Sequence, residues 1–319
     1  MLWFVVVVGL VDVVRCNWEN WWTYDGISGP AYWGLINPAW TMCNKGRRQS
    51  PIDLDPAFLN YDCKLENMSV DKQSVSARIT NTGQSLVLRV EDGQLAINIT
   101  GGPLAYKYQF QEMYFHWGEP GRPGAEHTVN HQQFPAEIQI YGFNTQLYSN
   151  LTVAREFPGG VVAISVLVKI KDSPLKKETS LAQIISHLPE VTYRGGSSRV
   201  GFISLADILP RTDDFITYEG STTFPGCWET VTWIVFNKPV YISQHDIDAF
   251  RRLKQGDRHH EKAPLGNNLR PQQPLNNRAL RTNIALPAQK DVQGECSDPS
   301  TLLTYQQNSW LNTVVSPAN

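Results

Sequence analysis

Little in this 319-residue chain marks it for a charged partner or a membrane. Basic residues number 28 and acidic residues 30, giving a formal charge of -2. There is no long basic block and no basic stripe interleaved with aromatics, so no nucleic-acid partner is expected. No apolar run is long enough to span a bilayer, and no transmembrane span is expected. The five cysteines stand no closer than twenty residues to one another, which is not zinc-knuckle spacing. Gly118, Gly121 and Gly124 do not sit in a strand, turn and helix sequence, so they make no phosphate cradle. A serine-centred elbow, a motif-supported carboxylate pair and an internal repeat are also missing.

Apolar material is present in quantity. Hydrophobic residues make up 41% of the chain, enough to bury a substantial core. Residues 1–15, MLWFVVVVGLVDVVR, read as a signal peptide, with an N-terminal anchor as the alternative; a basic start is missing and Asp12 interrupts the run. Residues 16–29 then form an N-terminal extension, 30–286 a single domain, and 287–319 a flexible tail thin in core residues. Three glycosylation sequons begin at Asn67, Asn98 and Asn150, in keeping with a secreted, extracellular glycoprotein. An odd cysteine count in an exported chain leaves one thiol free, lost with the leader, or paired between chains. Cys63 and Cys296 could pair with each other or with another molecule.

The pattern along the domain is mainly strand. Alternating Val, Ile and Leu predict strands at 65–70, 74–80, 85–91, 94–99 and 105–118, with turns at 81–83 and 91–93, the second of hairpin type. Further strands are expected at 134–141, 161–170, 230–236 and 279–284. The unbroken apolar run Val161–Ile170 suits a central strand covered on both faces. Helices are expected at 175–187, with Leu181, Ile184 and Ile185 on the apolar face, at 205–209, and at 244–253 behind a Ser243 to Asp246 capping box. Residues 218–226 read as a loop. The Trp- and Tyr-rich stretch at 17–34 reads as aromatic packing rather than a regular element.

The chain is organised around Met113–Gly118 and Phe134–Ile140, both read as strands. Period two puts Tyr114 and His116 on one face of the first, and Glu137 with Gln139 on one face of the second. If the two strands are neighbours, Tyr114, His116 and Gln139 converge on one wall that holds a single imidazole. His127 and His131 are further candidates for a ligand role.

Several motifs in order carry a resemblance: Tyr32-Trp-Gly34, Gln49-Ser-Pro-Ile-Asp53, Phe115-His-Trp-Gly118, Glu126-His-Thr-Val129, Ala136-Glu137, Gly220-Ser-Thr-Thr223, Val231-Thr-Trp233 and Asn277-Arg278. Together they resemble the alpha-class carbonic anhydrases. The resemblance implies an α+β, mainly β fold: a large, twisted, mostly antiparallel central sheet with peripheral helices. It implies a zinc site in which three histidines hold the metal and its bound water attacks carbon dioxide. Tyr114, His116 and Gln139 stand at the three ligand positions. Glu137 matches the carboxylate that orients a ligand histidine, and Glu126 the acid that orients a gatekeeping threonine, here Thr223. His127 matches a structural histidine.

Other matched positions depart from the family. Gln84 occupies the proton-shuttle position, where an amide cannot titrate. Of the pocket positions, Tyr141, Ala163, Thr222 and Phe224 depart, with Tyr141 bulkier than the valine it replaces, and Trp233 is retained. Gln is a weak carbonyl donor, and Tyr must lose a proton of pKa about 10 before it can ligate strongly. The resemblance is therefore to the secreted, non-catalytic carbonic-anhydrase-related branch: no cofactor, no enzyme activity, and binding to a cell-surface or extracellular protein. Cys43 and Cys227 match the disulfide of extracellular members. Weak metal-dependent hydratase or esterase activity, and a structural role in the extracellular matrix, are the competing readings.

Overall fold

The computed structural model describes residues 22–172 and 175–284. The leader, the tail, Cys16 and Cys296 lie outside the described residues, and so does the question of whether Cys63 pairs with Cys296. The strands are β1 (Asp53–Leu54), β2 (Leu59–Tyr61), β3 (Met68–Val70), β4 (Ser74–Asn81), β5 (Leu86–Val90), β6 (Asn98–Gly101), β7 (Tyr108–Trp117) and β8 (Thr128–Val129). They continue with β9 (Ala136–Asn144), β10 (Val161–Ile170), β11 (Ser197–Ser204), β12 (Phe215–Gly220), β13 (Val231–Phe236), β14 (Val240–Ile242) and β15 (Leu280–Thr282). Between them lie α1 (Trp33–Ile36), α2 (Met42–Lys45), α3 (Leu151–Ala154), α4 (Ser180–Ser186), α5 (Leu205–Ile208) and α6 (Gln244–Arg251).

One 13-stranded sheet dominates, with its main path running β11-β4-β5-β7-β9-β10-β13-β12-β15-β2. Most pairings are antiparallel. β10 is parallel to β13 and β14, and β15 to β2. Strand alternation divides the core into two layers. Phe115, Trp117, Ile138, Ile140, Val162 and Ile164 face one side, where Leu181 and Ile184 of α4 and Ile247 and Phe250 of α6 cover them. Tyr114, Tyr141, Phe143, Ala163, Leu167 and Trp233 face the other. Each fully buried Leu or Ile contributes about 1.5–3 kcal/mol of transfer free energy, so β10, buried from Val161 to Val168, anchors both layers.

The expected capping box forms: Ser243 Oγ accepts from Asp246 N–H at 3.2 Å, and an Asp246 oxygen accepts from Ser243 N–H at 2.9 Å. The shorter Asp serves because it sits at N3, within one turn of the backbone amide it accepts from. The disulfide Cys43–Cys227 is present, and packs with Trp33 and Trp40 into a third, smaller cluster. Trp22, Tyr24 and Trp33 meet edge to face there, as their density in the sequence suggested.

Three expectations are corrected, and one strand was not expected. Gly93 does make a turn at φ 74°, but no hairpin follows, because both edges of β5 are already taken by β4 and β7. β6 pairs with β3 and β7 instead. Residues 218–220 are not loop: Tyr218, Glu219 and Gly220 close β12 opposite Trp233, Thr232 and Val231. The helix expected from 175 starts at Ser180, since Thr179 takes an extended conformation and its hydroxyl accepts from Ala182 N–H. β11, polar from Ser197 to Arg199 and interrupted by Gly201, carried no apolar run long enough to read as a strand.

Candidate functional site

β7 and β9 are antiparallel neighbours. Tyr114 lies directly opposite Gln139 and His116 opposite Glu137, so the expected wall exists. Its side chains are committed to neighbours around the wall rather than to one another. The Gln139 amide N–H groups donate to Glu126 Oε2 at 2.7 Å and Glu137 Oε1 at 3.0 Å. Its carbonyl accepts from the Tyr141 hydroxyl at 2.9 Å and the Thr223 hydroxyl at 3.2 Å. The bond expected between Glu126 and Thr223 is thereby replaced: Gln139 stands between them, and the second oxygen of Glu126 accepts from Arg270 N–H at 2.7 Å.

Tyr114 turns away from Gln139. Its hydroxyl donates to Glu112 at 2.9 Å, and its ring stacks on Phe224 at 5.1 Å and meets Tyr141 edge-on at 5.5 Å. Burial pushes the Tyr114 phenol up to about 12, and the Glu112 carboxylate adds to the effect. Burial also pushes the Glu112 carboxyl up, but Arg155 and Arg89 outweigh it and hold the group below its ordinary value. The Arg155 guanidinium lies 5.2 Å over the Phe224 ring, closing the wall.

His116 is held from behind. Its Nδ1–H donates to the Asn268 carbonyl at 2.7 Å, while the Asn268 side chain bonds the backbone of Phe115 and Trp117. That leaves Nε2 facing Glu126 Oε2 at 3.7 Å with no hydrogen-bond partner. The Tyr24 ring sits edge-on to the imidazole at 6.4 Å.

Beneath the wall runs a second network. Glu137 Oε2 accepts from the backbone N–H groups of Glu126 and His127, each at 2.8 Å. Its Oε1 accepts from His127 Nδ1 and from Ser165, also at 2.8 Å. His127 Nε2 meets the Tyr218 hydroxyl at 2.7 Å, and Tyr218 in turn bonds Ser50. His127 is thus a structural member of the network. His131 lies apart on the surface, bonded to Asp53.

The remaining sequence candidates fall around these two networks. Gln84 lines a cleft of about 270 Å3 together with Tyr24 and Asn268. Ala163 lies opposite Tyr141 in the sheet, which gives the larger ring its space. Thr222 is buried and accepts from Trp228 N–H, and the Trp233 indole donates to Ser221 O at 2.9 Å. Asn67 and Asn150 are exposed, and the Asn150 carbonyl caps α3. The Asn98 amide nitrogen donates to Asp71 at 2.7 Å within the sheet.

Sequence reasoning missed Glu112, Arg155, Tyr24 and Asn268. Glu112 carries a signal, since it shares a face with Tyr114 by period two. Asn268 carries none, standing 152 residues from the imidazole that it fixes.

A buried histidine and carboxylates on the face of a wide mixed sheet, beside a hydroxyl-rich loop after β12, define a carbonic-anhydrase type of site. Residues 28–284 match the eukaryotic-type carbonic anhydrase family, and the chain belongs to that family. It is similar to the putative carbonic anhydrase-like protein 2 of Caenorhabditis elegans, 36% identical over 297 residues, covering 91% of this chain and 87% of that protein. It is also similar to the putative carbonic anhydrase-like protein 1 of the same organism, 30% identical over 350 residues, covering 89% of this chain and 95% of that protein.

The family's zinc does not fit these residues. Among the described residues no three His, Cys, Asp or Glu side chains gather as a metal-holding group. At the wall, the Gln139 carbonyl already accepts two hydrogen bonds, and Tyr114 keeps its proton against a neighbouring carboxylate. His116 Nε2 is the one strong nitrogen donor on offer, where a structural or catalytic zinc needs three or four.

Proposed function

We propose that this is a secreted, catalytically inactive carbonic-anhydrase-like protein that acts by binding another protein at a cell surface or in the extracellular space. The single observation that carries the inactive reading is the saturation of Gln139. Both acceptor sites and both donors of its amide are spent within the wall, so none is left for a metal. In this reading Tyr114, His116 and Gln139 are remnants of a ligand set, and Glu126, Glu137 and Thr223 are remnants of its support. Phe224 and Tyr141 occupy former substrate space, and Gln84 has no proton relay to perform. The leader-like residues 1–15, the sequons and the Cys43–Cys227 disulfide support export, since such bonds persist in oxidising compartments.

The test is zinc content by mass spectrometry and carbon dioxide hydration by stopped flow, on protein collected from a secretory host. Substoichiometric zinc and a rate equal to buffer are expected. Stoichiometric, dialysis-resistant zinc with hydration above buffer sinks the reading and restores the weak-hydratase alternative. Replacing both positions, Tyr114→His with Gln139→His, should raise zinc affinity. Turnover should stay slow, because Tyr141, Phe224 and Gln84 remain. Failure of the folded double variant to bind zinc refutes the ligand positions assigned to it.

A further inference from the structure

Three arginines lie directly opposite one another across three adjacent strands: Arg199 on β11, Arg78 on β4 and Arg89 on β5. Like charges in directly opposed positions repel, and such a row needs counter-charges. Glu91 bridges Arg78 and Arg199, each at 2.8 Å. Glu112 bridges Arg89 and Arg155. Four guanidiniums therefore share two carboxylates. The carboxylates are largely covered, while the Arg199, Arg78 and Arg89 side chains stay 62%, 50% and 47% exposed. The row presents surplus positive charge to solvent and ends at an edge of the sheet.

That edge is open. β11 pairs with β4 on one side, and no strand covers its other side among the described residues. An unpaired edge is a template for another strand, and proteins commonly blunt it with charge or a bulge. β11 has both Arg199 and a register shift between Val200 and Ile203. In the shift sits Phe202, 77% exposed and held at φ 52°, a left-handed conformation that a bulky side chain seldom adopts. Strain and an exposed ring at one edge position mark a candidate contact.

We propose that β11 is the docking edge for an extended acidic segment of a partner protein, which adds as a further strand with a carboxylate opposite Arg199 and an apolar group against Phe202. This rests on the protein-binding reading above and gives it a surface. Main-chain bonds along the edge supply affinity, and alternate side chains supply selection. A partner carboxylate opposite Arg199 continues the cross-strand row with the sign it lacks, and the guanidinium fork suits it. A second copy of this chain fits poorly, because edge-to-edge pairing lays one arginine row against another.

The test uses the full secreted chain and a fluorescent peptide alternating valine with glutamate. A valine–glutamine peptide of equal length and a heparin-derived oligosaccharide serve as comparisons. Anisotropy should show saturable binding of the glutamate peptide, weakened about tenfold or more by Arg199→Glu, by a smaller step in Arg199→Gln, and likewise with the glutamine peptide. Phe202→Gly suits the positive φ, keeps the fold, and should weaken binding several-fold. Amide hydrogen exchange across Ser197–Ser204 should slow when the glutamate peptide is bound. No saturable binding, equal affinity for the two peptides, or indifference to the Arg199 substitutions overturns the proposal. Heparin oligosaccharide binding that depends on Arg199 without slowing exchange in β11 also overturns it, and assigns the row to a sulfated glycan. The zinc and hydration measurements are independent: an active hydratase that still takes the peptide loses the inactive reading and keeps the edge, and an inactive chain that ignores the peptide does the reverse.

Discussion

Two neighbouring rows of one sheet face carry opposite chemistry. In the His116–Glu137 row, a buried carboxylate gathers five donors from backbone amides, His127, Ser165 and Gln139. In the Tyr114–Gln139 row, the space is filled by the rings of Tyr114, Tyr141 and Phe224 around a saturated amide. Only one of the five donors to Glu137 comes from that second row. The lower network closes on the chain around His127, β12 and Ser50, so it holds the sheet together whatever the wall carries. A wall can therefore change its chemistry while the frame under it keeps its bonds.

The comparison breaks most severely at Glu137. Glu137→Ala leaves several buried donors orphaned and should cost about 3–5 kcal/mol, read as a lower urea midpoint at constant slope. The pH dependence carries the same signature. Burial pushes the Glu137 carboxyl up, but the His127 imidazole and the backbone N–H bonds pull it down to about 2 from an ordinary 4.5. A folded value below the unfolded one means stability that is present above pH 4.5 and fades as pH falls from there toward 2. Urea midpoints across that window should slope for the native chain and slope less for Glu137→Ala.

The disulfide comes next. Cys43 and Cys227 are 184 residues apart in sequence, and replacing both by serine should cost about 2–4 kcal/mol, measured by thermal unfolding under non-reducing conditions. The wall should yield the smallest change. Tyr141→Phe removes one of two donors to the Gln139 carbonyl, and Thr223 still satisfies that oxygen, so a loss of about 1 kcal/mol is expected in denaturant titration. A loss at Tyr141 as large as that at Glu137 contradicts the division into frame and wall.

Much of this was legible in the chain because strand alternation is a strong, local signal. Val161–Ile170 matches at both ends, and the facing of Tyr114, His116 and Gln139 follows from period two once the strands are neighbours. What escaped depends on choices made across the sequence. Glu126 has several donors within reach, and only the fold decides that Gln139 and Arg270 take it instead of Thr223. Asp92-Gly93 is good hairpin chemistry, yet tertiary competition for the edges of β5 overrides it. β11 escaped because an edge strand needs apolar residues on one face only, and Val200 and Ile203 beside a buried Ser198 are too few to stand out.

The four bonds of one amide also set a direction for change. A neutral imidazole introduced alone at position 139 has one N–H and one acceptor nitrogen, so it could serve only one of Glu126 and Glu137 and only one of Tyr141 and Thr223, where the amide serves all four. A single substitution at position 139 toward a ligand set thus meets a penalty before any metal can reward it. Position 139 is locked by its surroundings: a ligand can be introduced there only if Tyr141, Thr223 and the two carboxylates are released as well.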